Sequence, residues 1–264
     1  MNPERAPAHL RDWERAEIVR SASEARHSRP ALKLSARNIA RYMDPPAATA
    51  YPLEYVYHLL GPIEKALVLD LGCGSGVNSL LLAFRGARPL GVDISEDLLR
   101  LANARFAVNA APQPGRFLAS SAHALPLPDA SVDCVLGVAI LHHLDLTLVR
   151  DEVLRILKPG GHAIFQEPVR NSRIIRVLRA LIPYRSPDVS PFERPLFDSE
   201  LNDFAKPFSC VESRSFGLPH VKICELVPWL RRYQDAAYNS DAWLLRTRPW
   251  LSSFSSIRVL RLTK

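Results

Sequence analysis

The sequence predicts an α/β protein built on a doubly wound, mostly parallel sheet. Three observations support this class: short apolar runs alternate with helical patterns from residue 65 to 168, glycine or proline bounds most runs, and a glycine-rich turn follows the first run. Short buried strands that alternate with helices are typical of parallel sheets, whose right-handed crossovers place helices on both faces. The 264 residues, 47% hydrophobic and 23% charged, can bury a large core without disulfide or metal support.

The strand pattern occurs in seven segments, which are 66–71, 87–93, 115–120, 132–138, 162–167, 208–217 and 255–263. Helical patterns occupy 77–85, the segment opened by Ser95, 145–157, 198–206 and 222–246. Ser95 is followed by Glu96 and Asp97, and a serine N-cap with acidic residues in the first turn favours the start of a helix. We expect residues 1–60 to form a helical cap on a main domain of residues 61–264, with a lid-like insertion at about 168–200.

The strongest chemical signal is VLDLGCGSG at residues 68–76, where a strand leads directly into Gly72, Gly74 and Gly76. Glycines permit a tight turn and a close approach of the backbone to a ligand, and the helix that follows presents free N–H groups there. Asp93 ends the second strand, where a carboxylate can accept both hydroxyls of a ribose. The pattern therefore predicts a nucleoside site at the carboxyl edge of the sheet.

Four segments together resemble the class I S-adenosylmethionine-dependent methyltransferases: VLDLGCGSG, GVDIS at 91–95, LPLPDASVDCVLGVAILHHL at 125–144 and LRILKPGG at 154–161. The resemblance covers about residues 60–168 and is nearest to the small-molecule branch that includes quinone-biosynthesis and sugar O-methyltransferases. It implies a Rossmann-like, seven-stranded sheet with an antiparallel last strand. It also implies S-adenosyl-L-methionine as the cofactor and methyl transfer to a small molecule, most readily at a hydroxyl oxygen.

The resemblance also implies a cofactor site. Asp70, Gly72 and Gly74 would hold the methionine part, Asp93 the ribose, and Ile94 the face of the adenine. The loop after strand three usually carries an acid that reaches the adenine amino group, but this sequence has Ser121 at that place, followed by Ala122. The cofactor set is completed by Gly137 at the end of strand four. No asparagine-proline motif of the kind used on flipped amino bases follows that strand.

A hydroxyl acceptor must lose a proton during methyl transfer, so the site needs a base. Two histidines, His142 and His143, follow strand four, and Glu167 ends strand five. In the sugar O-methyltransferases that the chain resembles, a histidine and an acid at these places do this work. We therefore expect one of the two histidines to act with Glu167, and the alternative for each histidine is a structural role in capping or packing.

Charge and cysteine usage bear on partners and compartment. The formal charge is +7, and the densest basic stretch contains Arg170, Arg173, Arg176, Arg179 and Arg185 at helical spacing. This predicts a solvated helix face, with a substrate-facing lid or a nucleic-acid or membrane surface as alternatives. An RNA or protein methyltransferase and a non-catalytic cofactor-binding subunit remain rival functions. The four cysteines lack metal-ligand spacing, which predicts buried thiols and no bound metal. The sequence shows no apolar span and no signal peptide, which predicts a cytoplasmic protein.

Overall fold

The computed structural model describes residues 8–27, 32–173 and 194–264. Its seven strands form one sheet in the order β3-β2-β1-β4-β5-β7-β6. Their bounds are β1 Leu67–Leu71, β2 Arg88–Asp93, β3 Arg116–Ala119, β4 Val132–Val138, β5 Leu157–Pro168, β6 Cys210–Phe216 and β7 Ile257–Thr263. Only β7 runs antiparallel to its neighbours β5 and β6, while the β1–β5 pairings are parallel. The predicted doubly wound sheet with an antiparallel last strand is confirmed.

The described helices are α1 Ala8–His27, α2 Ala36–Arg41, α3 Pro52–Leu60, α4 Val77–Phe84, α5 Glu96–Val108, α6 Leu146–Ile156, α7 Asp198–Ala205, α8 Pro219–Leu226 and α9 Gln234–Thr247. Several begin where the local sequence requires. The Ser95 hydroxyl accepts from Leu98 N at the start of α5, and the Asp145 carboxylate accepts from Thr147 N and Leu148 N at the start of α6. None of these helices is long and apolar enough to cross a bilayer.

Alternation along the strands divides the core between the two faces of the sheet. On β1, Leu69 and Leu71 pack in one cluster with residues of α6 and α7. Val68, which precedes Leu69, points to the opposite side and packs on the other face with α3 and α4. Burying each such side chain contributes about 1.5–3 kcal/mol. The core on both faces holds β1 in the interior of the sheet, between β2 and β4, with its carboxyl end at the glycine turn.

The structure corrects two predicted segments. Strand β5 begins at Leu157 rather than at residue 162, because Leu157 pairs with Val132 before an irregularity in the register leads into the pairing of His162 with Cys134. The helix predicted over 222–246 is interrupted after Leu226. Pro228 lacks a backbone N–H and disfavours helical geometry in Val227, so a 3-10 segment from Pro228 to Tyr233 precedes α9.

The two longer helices of the N-terminal segment pack at different places on the main domain. Helix α3 packs on β5 and β7, whereas α1 contacts α5 and reaches the edge of the sheet at which β1 and β2 end. Of the insertion at about 168–200, residues 174–193 lie outside the described residues. The prediction of buried thiols is confirmed for Cys73 and Cys134. It is wrong for Cys210, which is exposed where β6 begins at the edge of the sheet, and Cys224 is only half-buried.

Candidate active site

The turn after β1 requires glycine at two positions for different reasons. Gly72 has a φ of +68°, and a Cβ atom there would lie 2.4 Å from Ile140 Cδ1. Gly74 has a φ of +52°, and nothing lies within 4 Å of the place where its Cβ would be. The first glycine therefore lets the loop after β4 approach the turn, and the second leaves open space above the backbone.

Asp93 at the end of β2 holds this turn in place. Its Oδ2 accepts from Gly74 N at 2.9 Å, and its Oδ1 accepts from Ser95 N at 2.9 Å. Each carboxylate oxygen has a second lone pair, so the same group can still accept from a ligand hydroxyl. The carboxylate lies in the wall of a cavity beside Ile94.

Asp70 lies behind the turn and is almost completely buried. Ser79 Oγ donates to its Oδ2 at 2.5 Å. Burial raises the pKa of Asp70 to about 7, and the nearby charge of Asp93 contributes in the same direction. A neighbouring cation would reverse this shift by stabilising the ionised carboxylate.

The cavity at this edge of the sheet is open to solvent on one side and has a volume of about 160 Å³. Its wall combines the glycine turn, the loops after β2, β3 and β4, and one face of α1. The lining residues are Trp13, Glu14, Glu17, Arg20, Ser21, Gly72, Gly74, Val92, Asp93, Ile94, Leu98, Ser120, Ser121, Ala122, His123, Ala139, Ile140, His143 and Leu144. Six of the predicted cofactor residues therefore meet here: Gly72, Gly74, Asp93, Ile94, Ser121 and Ala122.

The two histidines predicted as candidate bases have different surroundings. His143 lines the cavity, and its Nδ1 lies 3.3 Å from Oε1 of the buried Glu17. His142 and Glu167 do not line the cavity, and they pair beneath it with His142 Nδ1 at 2.8 Å from Glu167 Oε2. The expected histidine–carboxylate arrangement is thus divided between two pairs, only one of which faces the cavity.

Glu167 is fully buried and binds the backbone of the loop after β4. Its Oε1 accepts from Ile140 N at 2.9 Å and from Leu141 N at 2.8 Å. Together with the contact to His142, these hydrogen bonds hold three consecutive residues of the loop, 140–142, in place. The side chain of Glu167 is therefore directed into the loop rather than into the cavity.

Gly137 is also placed away from the cavity wall. A Cβ atom there would lie 2.6 Å from Phe165 Cδ1 and 2.9 Å from Ile140 Cγ2. A glycine at this position allows β4 to pack closely against the neighbouring strand. The structure thus shows a packing role for Gly137 and no cavity contact.

Sequence reasoning missed the contribution of α1. The cavity-lining residues Glu14, Glu17 and Ser21 follow a helical spacing of three and four residues, so polar side chains occupy the inward face of this helix. That spacing was the available signal, because an inward face is ordinarily apolar. In the described parts of the chain, no group of three or more His, Cys, Asp or Glu side chains is arranged to hold a metal ion.

Comparisons with known proteins agree with this geometry. A family model described as "Methyltransferase domain" matches residues 69–165. The Ubiquinone biosynthesis O-methyltransferase of Ralstonia nicotianae is 30% identical over 195 residues, which are 71% of this chain and 78% of that protein. The enzyme of the same name from Nitrosomonas europaea is 28% identical over 182 residues, or 66% of this chain and 76% of that protein.

Solved structures share the fold. Phosphoethanolamine N-methyltransferase 2 of Haemonchus contortus, in complex with S-adenosyl-L-methionine, superposes with a TM-score of 0.54 at 18% identity over 79% of this chain and 51% of that chain. Geranyl diphosphate C-methyltransferase of Streptomyces coelicolor gives 0.55 at 16% identity over 80% and 76%. The chain belongs to the class I S-adenosylmethionine-dependent methyltransferases, and S-adenosylmethionine is its cofactor.

The residues present fit this cofactor. Gly74 leaves open space above the turn, where any larger side chain would enter the cavity. Asp93 lines the cavity with a carboxylate that suits the hydroxyls of a ribose, whereas Asp70 lies buried behind the turn and outside the cavity wall. Gly72, Gly74 and Asp93 would hold the cofactor along the edge of β1 and β2, with Ile94 beside the base.

Proposed function

We propose that this protein transfers a methyl group from S-adenosylmethionine to a hydroxyl oxygen of a small-molecule acceptor. The observation that carries the proposal is a histidine in the cavity wall, His143, with the buried carboxylate of Glu17 beside it. The relatives named as O-methyltransferases support the oxygen acceptor. Helix α1 covers one side of the cavity, which favours a small acceptor over a macromolecule.

When bound, the cofactor supplies an activated methyl group, so the protein has three tasks. It must hold the acceptor oxygen in line, exclude water and remove the hydroxyl proton. An imidazole suits the last task because it exchanges a proton near neutral pH. The cavity faces of Trp13, Ile140 and Leu144 provide apolar surface that limits water beside His143.

We assign the proton transfer to His143 and a positioning role to Glu17. The Glu17 carboxylate lies 3.3 Å from Nδ1 of His143 and also accepts from Arg20 Nε at 3.0 Å. A carboxylate beside an imidazole stabilises the charged ring that forms when the base takes up the proton. His142 and Glu167 act indirectly in this proposal, since their pair holds the loop that carries His143.

The experiment compares His143→Ala with His142→Ala in transfer of labelled methyl from S-adenosylmethionine to a panel of hydroxyl-bearing small molecules. His143→Ala is expected to lower kcat about 10²- to 10⁴-fold and to remove the imidazole limb of the pH–rate profile. Glu17→Gln is expected to lower kcat with little change in KM, because the ring that takes up the proton loses the carboxylate that orients it. His220→Ala, on a half-buried histidine away from the cavity, is the matched control and should leave turnover unchanged.

Affinity for S-adenosylhomocysteine, measured by calorimetry, should remain close to wild type in His143→Ala. Retention of more than about a tenth of wild-type kcat by this variant would remove the histidine from the proton transfer, since a positioned base accounts for more. A methylated product carrying the label on nitrogen or carbon would contradict the oxygen acceptor.

A further inference from the structure

The order of the strands determines where the base of a bound nucleoside lies. The glycine turn ends β1, Asp93 ends β2, and the loop that follows β3 comes next along the same edge. A ribose held by Asp93, with its sulfur side at the glycine turn, directs its base towards that loop. The loop from Ser120 to His123 contains no carboxylate of its own.

Helix α1 brings a carboxylate to this part of the wall. Ser121 Oγ donates to Glu14 Oε1, and His123 Nδ1 lies 3.1 Å from the same oxygen. These contacts join residues more than 100 positions apart in the chain. Among the described residues none donates to Glu14 Oε2, and Glu14 lines the cavity.

The protonation of His123 follows from its second contact. Asp145 N donates to His123 Nε2 at 2.9 Å, so this nitrogen is an acceptor and the ring proton of the neutral imidazole is on Nδ1. The ring therefore donates to Glu14, and this hydrogen bond lowers the pKa of Glu14, against the effect of partial burial. Oε1 is occupied by two donors, while the ionised group keeps a strong acceptor at Oε2.

We propose that Glu14 recognises the adenine base of the cofactor by accepting a hydrogen bond from its exocyclic amino group at Oε2. The amino group is the donor that distinguishes adenine from a 6-oxopurine, so a carboxylate there selects adenine and disfavours hypoxanthine. Ser121 and His123 position Glu14 for this contact. The inference rests on the cofactor site and is independent of the acceptor and of the catalytic base.

The test measures binding of two nucleosides by titration calorimetry without any acceptor. S-adenosylhomocysteine is compared with S-inosylhomocysteine, in which oxygen replaces the amino group. Wild type is expected to prefer the adenine compound about 10- to 100-fold, the range of a hydrogen bond to a charged group. Glu14→Gln should reduce this preference at least about 10-fold, because an amide can both accept from an amino group and donate to an oxo group.

Two further variants make the outcome decisive. Asp12→Asn removes an exposed carboxylate of α1 outside the cavity wall and should keep the full preference. Glu14→Asp keeps the charge on a shorter side chain and should give an intermediate preference, which provides a second measurement if Glu14→Gln folds poorly by circular dichroism. Equal binding of the two nucleosides by wild type, or an equal loss of affinity for both in the Glu14 variants, would overturn the proposal and leave Glu14 as a structural contact.

Discussion

The buried side chain of Glu167 gives a quantitative prediction about the stability of the loop after β4. Glu167 is 0% exposed, and its carboxylate accepts from Ile140 N, Leu141 N and His142 Nδ1 at 2.8–2.9 Å. Glu167→Ala removes the acceptor of three buried donors at once. We expect this substitution to destabilise the folded protein rather than to act on chemistry directly.

The magnitude follows from the contacts. Each buried donor left without a partner costs about 1–3 kcal/mol, so three give a loss of about 3–9 kcal/mol. Water that enters the space left by the side chain moves the result to the lower half of this range. Glu167→Gln keeps an amide oxygen for the two backbone donors and loses the charge, so about 1.5–3 kcal/mol is expected. The larger loss is comparable to the whole stability of an ordinary domain, about 5–15 kcal/mol.

Equilibrium unfolding in urea, followed by circular dichroism, measures both variants by linear extrapolation at constant slope. Glu96→Ala is the control, since the Glu96 side chain is 73% exposed in its pair with Arg100 and should change stability by no more than about 0.5 kcal/mol. A loss below about 1 kcal/mol in Glu167→Ala would show that the carboxylate does not hold the loop. The assignment of Glu167 as a clamp would then be refuted.

Two further predictions concern the cofactor edge. In the protein without cofactor, Asp70 holds its proton up to about pH 7, whereas the unfolded chain releases it near pH 4, so this group lowers stability as the pH rises through that window. Asp70→Asn should remove this dependence. The variant-minus-wild-type free energy of unfolding should then increase by about 3 kcal/mol from about pH 4.5 to about pH 7.5, and a constant difference would contradict the buried proton. Asp93→Ala should weaken S-adenosylhomocysteine binding at least about 10-fold in calorimetry, and unchanged affinity would remove Asp93 from the site.

The sheet and the cofactor edge were accessible from sequence because their signals are local. Strand β4 is a buried apolar run whose observed bounds equal the predicted ones, and Ser95 caps α5 as its sequence context indicated. Gly72, Gly74 and Asp93 each lie at the end of a strand, and parallel strands bring such ends together at one edge. Position in the chain was therefore enough to predict that these residues meet.

The two adjacent histidines could not be separated from sequence. His142 and His143 have the same side chain, follow the same strand and lie in one 3-10 turn. The two rings pack against each other with their centroids 4.1 Å apart, yet only His142 bonds to Glu167 and only His143 lines the cavity. Which histidine lines the cavity depends on the orientation of this three-residue turn. The backbone contacts of Glu167 determine that orientation, and no periodicity in the sequence reveals it.

The contribution of α1 was missed for a different reason. The spacing of its polar residues is visible in the sequence, but the residues that they contact are not. Glu14 contacts Ser121 and His123, and Glu17 lies beside His143, so every partner is more than 100 residues away along the chain. Only the assembled sheet brings these loops within reach of one helix. Glu14 and Glu17 are three residues apart and face the same side of α1, so a displacement of this helix moves both carboxylates together. If Glu14 recognises the cofactor base and Glu17 orients the catalytic base as proposed, α1 couples the two functions.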